Sequence, residues 1–264
     1  MRITKKRNSI CYILIMAAPT PQRKASELIE SINVMLASGV NQERLNEVVD
    51  EANKLKEIGC YNEAYTVLGM IAALRADLRE VDRMFSAAIK CSGRDLWTVR
   101  NYASALNNLH RCGEAVKYVD EVVEHIPDDI SLLYEAIKFH KEAFDVEGVR
   151  SLEAHCKALG TPFVDSKLEL ELNAIEDIMR TNSVTWDQLA SRVELATDVV
   201  YESGLTQQFN RRLVKDGVIF YEIGIPDDIE RVSRIENLIN DRIAEESYSV
   251  VDDVLFITCS QHER

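Results

Sequence analysis

Residues 96–130, LWTVRNYASALNNLHRCGEAVKYVDEVVEHIPDDI, limit most sharply what this chain can fold into. They read as two amphipathic helices with a tight turn at Cys112-Gly113, closed by Pro127. Neither helix buries its apolar face alone, so the hairpin needs similar neighbours on both sides. The flanking sequence offers them. Apolar residues at helical spacing predict helices over 23–38, 42–58, 62–76 and 78–91 before the hairpin. Further helices are predicted over 130–144, 146–159, 164–180 and 185–203, with stops at Gly39, Gly59, Gly93 and Gly160. The connections are short, which makes successive helices antiparallel neighbours. Ten Gly and five Pro are few for 264 residues, and they favour long helices over a turn-rich β fold.

Shifting the sequence by 34 residues aligns three pairs: 62–95, 96–129 and 130–163. The seventh and eighth places hold Leu68-Gly69, Tyr102-Ala103 and Ala136-Ile137. The twentieth holds Val81, Ala115 and Val149, and the twenty-fourth Phe85, Val119 and Glu153. The twenty-seventh holds Ala88, Val122 and Cys156, and a breaker follows each pair at Gly93, Pro127 and Thr161-Pro162.

With this period, and with small residues where helices approach closely, the units resemble tetratricopeptide repeats. Residues 96–129 match best, through Tyr102-Ala103, Leu106, Ala115 and Pro127. Trp97 is not the family's tryptophan, because it stands at the second place and Val99 holds the fourth. The third unit departs from the pattern at Ile137 and Glu153. The resemblance implies a mainly α fold, an antiparallel helical-hairpin solenoid over 23–203. It also implies that the first helix of each pair lines a concave groove. The candidate groove residues are then Met70 and Leu74, then Trp97, Arg100, Asn101, Ser104 and Asn108, then Tyr134, Lys138 and Lys141. Asn101 stands where the resemblance suggests an amide that hydrogen-bonds a bound peptide. Arg100, Lys138 and Lys141 suit acidic side chains or a carboxyl terminus on the ligand. A complete carboxylate clamp is not visible.

Composition changes after Ser203. QQFNRRLVKDGVIFYEIGIP reads as two strands joined at Lys215-Asp216-Gly217. Asp227-Asp228 open a helix reaching about residue 246, and VDDVLFITC reads as a third strand. This small C-terminal α+β (β-β-α-β) unit, 204–264, is expected to cap the solenoid by covering its last apolar face.

Residues 1–22 form an expected N-terminal extension, either unstructured or mis-annotated, with Met16 as an alternative start. Its basic beginning and the apolar run Ile10–Ala18 give it the outline of a signal peptide, so export is the alternative to a cytoplasmic location. Pro19 fits a cleavage site poorly, and no stretch reaches the length of a membrane span. The formal charge of −13 opposes wrapping of nucleic acid. Six scattered cysteines with no CxxC pair suit a reduced compartment better than a zinc ribbon or a disulfide framework.

Catalytic chemistry finds little support. His110, His125, His140 and His155 recur every fifteen residues, out of step with the repeat, and no HExxH is present. Cys156 beside His155 fails as a nucleophile with its base, because sequence neighbours on a helix do not face one another. Phosphate-binding glycine motifs are absent, and Asp128-Asp129 and Asp227-Asp228 read as helix caps. No cofactor or metal is expected. The reading is therefore a non-enzymatic module that binds a protein or peptide segment. Two alternatives stay open: an enzyme with its site in or beside the C-terminal cap, and a self-associating, chaperone-like homo-oligomer.

Overall fold

A computed structural model of the chain describes residues 20–163, 165–205, 207, 209–246 and 249–261. The readings made on residues 1–19, and on Cys11 and His262, fall outside these. Among the described residues the chain is mainly helical, with twelve helices and one small three-stranded sheet near the C-terminus. Five hairpins follow one another: α1 (Pro21–Ser38) with α2 (Gln42–Glu57), α3 (Tyr61–Leu74) with α4 (Leu78–Ser92), and α5 (Leu96–Asn108) with α6 (Cys112–His125). Then come α7 (Ile130–Glu142) with α8 (Val146–Ala158), and α9 (Ser166–Asn182) with α10 (Trp186–Glu202). Helix starts are set by side chains that accept an otherwise unpaired backbone N–H. Asp77, Asp95, Asp129, Asp145 and Asp165 do this, and Thr185 forms a capping box with Gln188. Asp129 and Asp228 thus cap helices, as their positions predict.

The 34-residue period is written into the backbone. Ala76, His110 and Phe144 occupy the same place in three successive units, and all three are left-handed, with φ of 55°, 56° and 62°. The next residue closes each turn in the same way. The N–H groups of Asp77, Arg111 and Asp145 donate to the carbonyls of Ala72, Leu106 and His140 at 3.0, 2.9 and 2.9 Å. None of the three is glycine, although a Cβ disfavours this conformation.

Small residues permit close approach inside the hairpins. A Cβ at Gly69 would lie 2.6 Å from the ring of Phe85, which is fully buried on α4. The Phe85 ring stacks on Tyr102 at 4.8 Å, and Tyr102 lies 4.6 Å from Tyr118, so an aromatic column joins α4, α5 and α6. The α3 helix packs against both α1 and α5. The α7 helix packs against α6 and α8, but it meets α5 through a polar bridge. There Glu135 accepts from Arg100 at 2.8 Å and from Ser104 at 3.1 Å. The reason lies at the place held by Gly69 and Ala103 in the earlier units. Here it is Ile137, which is fully buried but joins a different core.

Two apolar clusters result, and α7 serves both. Leu132, Ala136 and Phe139 belong to the cluster built from α1–α6, whereas Leu133 and Ile137 belong to the one containing α8, α9, α10 and the sheet. In that sheet β1 (Phe209–Lys215) and β2 (Val218–Ile225) form an antiparallel hairpin through Asp216-Gly217, both with positive φ. α11 (Ile229–Glu245) then crosses over to β3 (Leu255–Gln261), which runs parallel to β2. One boundary differs from expectation: residues 251–254 form the short helix α12 (Val251–Val254), and the strand begins at Leu255. Asp252 is responsible, since it accepts from the Ser249 N–H at 3.0 Å and pairs with Arg192. The described cysteines are free thiols, and no helix of the described residues is long and apolar enough to cross a membrane.

Two opposite substitutions test this packing. Gly69→Ala is expected to lower stability by about 1–3 kcal/mol through overpacking against Phe85. Ala76→Gly, which removes a Cβ from a left-handed residue, is expected to raise it by up to about 1 kcal/mol. Urea denaturation of both variants measures the two signs.

Candidate functional site

The first helices of all five hairpins border one cleft of about 1250 Å³. Met35, Leu36 and Ser38 come from α1, Leu74 from α3, Asn107 and Asn108 from α5, Ile137, Lys138, Lys141 and Glu142 from α7, and Leu168 from α9. Gln207, Asn210 and Pro226 close its far side. Its lining includes apolar side chains: Leu36 and Val40, 39% and 54% exposed, and half-buried Leu74 and Phe163. Exposed apolar groups gathered in a concavity are the usual lining of a binding surface. The lining also carries two cations, Lys138 and Lys141. Neither has a carboxylate within 4.0 Å among the described residues.

Of the ten candidate groove residues, Leu74, Asn108, Lys138 and Lys141 line this cleft. The other six are engaged elsewhere. Met70 is buried in the core, and Trp97 packs half-buried against the same cluster. The Asn101 side chain donates one N–H to the Trp97 carbonyl of its own helix at 2.7 Å. Arg100 and Ser104 hold Glu135. Tyr134 donates to the Thr161 carbonyl at 3.1 Å, and its ring meets Phe163 edge-on. Leu36, Val40 and Asn210 were not foreseen as lining residues. They stand outside the three aligned units, where the period gives no signal.

The α5–α6 turn also reaches the cleft, which His110 helps to line. His110 Nδ1 lies 2.9 Å from the Asn210 amide nitrogen on β1. In this arrangement the amide nitrogen donates and Nδ1 accepts. Burial pushes His110 down to about 4. Arg111 grips Asp198 of α10 through one guanidinium nitrogen, at 2.7 and 2.8 Å from the two carboxylate oxygens. Glu194 of α10 accepts from the Gly113 N–H at 2.9 Å, so it caps an α6 start that lacks a cap of its own. Cys112, between them, is buried, and burial pushes its thiol up, away from nucleophilic use.

The part of the cleft wall formed by α7 is braced from within. His140, at the end of α7, holds Asp145 through Nδ1 at 2.6 Å and Asp120 through Nε2 at 2.9 Å. Burial alone would lower its pKa, but the two carboxylates outweigh it and raise it to about 9. The imidazolium is therefore the working form at neutral pH. Arg212 of β1 is a second brace: it donates to the Lys141 carbonyl, pairs with Glu171 at 3.0 Å and lies over the Phe144 ring at 4.7 Å. Among the described residues no group of three or more His, Cys, Asp or Glu is arranged to hold a metal ion. No protein-family model, curated protein or solved structure matches the chain.

The His140 brace has a defined pH signature. Its folded pKa lies above the unfolded value of about 6.5, so its contribution is complete below that pH and is lost as pH rises through about 9. The wild-type thermal midpoint is expected to fall between pH 7 and 9.5, with a loss on the order of 2 kcal/mol. His140→Gln should already be destabilised at pH 7 and should lack most of this fall in calorimetry.

Proposed function

We propose that the chain is a tetratricopeptide-like helical-repeat module whose work is binding. It takes an extended segment of a protein partner in the cleft between its first helices. The observation that carries this reading is the convergence of five successive hairpins, each through its first helix, on one concavity. The left-handed turn recurring every 34 residues at Ala76, His110 and Phe144 supports the repeat reading independently.

The chemistry of the lining favours a particular kind of segment. Leu36, Val40, Leu74 and Phe163 offer apolar contact for anchoring side chains. Lys138 and Lys141 favour acidic groups beside those anchors, and Asn107 and Asn108 offer amides to a backbone. Affinity then comes from the apolar anchors, while the lysines set register and association rate. The overall charge of −13 makes this a local attraction on a repelling body, so partners with a concentrated rather than diffuse acidic character are favoured.

Affinity capture from native cell extract, followed by binding measurement with the recovered partner, tests the reading. Lys138→Glu combined with Lys141→Glu is expected to weaken binding at least tenfold, and Val40→Asp to weaken it by removing an apolar contact. Both variants should keep a near-native thermal midpoint, because Val40 and Lys138 are exposed, Lys141 is only half-buried, and none of the three belongs to an apolar cluster. Undiminished binding by folded variants would remove the cleft from the account.

A further inference from the structure

The two faces of the C-terminal sheet differ in what covers them. On one face Ile219, Tyr221 and Ile223 of β2 and Leu255 and Ile257 of β3 are buried in the second apolar cluster. The residues between them point to the other face. There the strand register brings Leu213, Phe220 and Phe256 into one row across all three strands. The row is open: its side chains are 56%, 38% and 45% exposed, and the rings of Phe220 and Phe256 stack at 5.7 Å. Single apolar residues scattered over a surface need no explanation, but three large ones held side by side on one sheet mark a contact surface.

We propose that this face is where two copies of the chain pair, sheet on sheet, about a two-fold axis. Shape, charge and area favour a second copy over another occupant. None of the three residues lines the cleft, and a row on a sheet face does not enclose an extended segment. An identical sheet face packs on it at about 10 Å, with side chains interdigitating. The row is flanked by charges of both signs: Arg211 pairs with Glu222 at 2.6 Å, while the one carboxylate within 4.0 Å of Lys215 among the described residues is Asp216, at 3.9 Å. A copy of the same face brings a carboxylate for Lys215. An acidic partner is repelled by the body of charge −13, and a basic one is drawn to the rest of the surface before this face with its two cations. Three strands of seven or eight residues present roughly 14 by 23 Å. With side-chain relief, two such faces bury on the order of 1,000 Å² in all, the low end of specific interfaces, which suits a reversible dimer.

The edges of the sheet direct pairing to the face. Alternate N–H groups of β3 turn away from β2. Of these, Leu255 donates to the Val251 carbonyl and Cys259 to Glu236 of α11 at 3.3 Å. On β1, Arg212 ties the strand to the Lys141 carbonyl and to Glu171 of α9. Edge-to-edge addition, which could continue from copy to copy, is thereby opposed, whereas face packing about a two-fold axis closes at two. The pairing face is separate from the cleft, so the dimer does not rest on the binding role proposed there.

Sedimentation velocity of the full chain from about 1 to 200 µM tests the pairing. The wild type is expected to pass from monomer to dimer over this range, with a dissociation constant on the order of 10 µM and no larger species. Phe220→Thr combined with Phe256→Thr keeps strand-forming residues on the solvent face and should raise that constant at least tenfold. Leu213→Thr, on a different strand, should raise it as well, which preserves the test if the double variant folds poorly. Lys138→Glu with Lys141→Glu, in the cleft, should leave it unchanged. Three results would overturn the pairing: a wild type that stays monomeric throughout, a dimer that the face substitutions leave as tight as before, or growth beyond two copies with concentration.

Discussion

One helix with two buried faces holds this molecule together. α7 gives Leu132, Ala136 and Phe139 to the cluster of the first six helices, and Leu133 and Ile137 to the cluster beneath the sheet. A helix used on both sides has little room for polar residues: Glu135 contacts α5, Lys138, Lys141 and Glu142 border the cleft, and His140 is held between two carboxylates. Its last turn carries the heaviest load. Two cations gather at this C-terminal end, where the helix dipole favours positive charge: His140 between two carboxylates, and the Arg212 guanidinium on the Lys141 carbonyl. Both are charge-assisted contacts made in largely buried surroundings, where such bonds are strong and their loss is costly.

The cleft inherits its shape from this arrangement. α7 meets α5 through Glu135 instead of close backbone packing, and both helices border the cleft. The side chains that make this contact, Arg100 and Ser104, are thereby withdrawn from any ligand. The C-terminal unit then closes the far side with Gln207, Asn210 and Pro226. Concavity and closure thus come from different parts of the chain, joined at the α5–α6 turn.

The helices, their caps and the hairpin strands were legible in the sequence because they depend on local signals. Apolar spacing, aspartates at helix starts and an Asp-Gly turn all act within a few residues. The departure at Ile137 was legible too, as a large residue where Gly69 and Ala103 stand in the other units. Its consequence was not, because the period says nothing about which core a misfit side chain will join. The groove assignment was partly legible for a related reason. Leu74, Asn108, Lys138 and Lys141 lie near the ends of their helices and do border the cleft, whereas Asn101 and Arg100 satisfy partners supplied by their own or a neighbouring helix. His110 and His140 carried no recognisable spacing. Their partners Asn210, Asp120 and Asp145 are assigned by tertiary packing alone. The helical start of the VDDV segment was hidden in the same way, by the pairing of Asp252 with Arg192.

The distances along the chain between partners carry a consequence for how the molecule assembles. Each helical hairpin closes over a few residues, three of the five through one repeated left-handed turn, so the array is built from contacts that cost little chain entropy to form. The contacts that seat the C-terminal half on it, Gly113 with Glu194, Arg111 with Asp198 and His110 with Asn210, span 81, 87 and 100 residues. Their closure needs both partners already in place and returns only a handful of polar bonds at the turn. Folding therefore has a natural order, with hairpins first and the long-range seam last. A nascent or partly folded chain would accordingly expose the apolar strip of α7 that the sheet later covers.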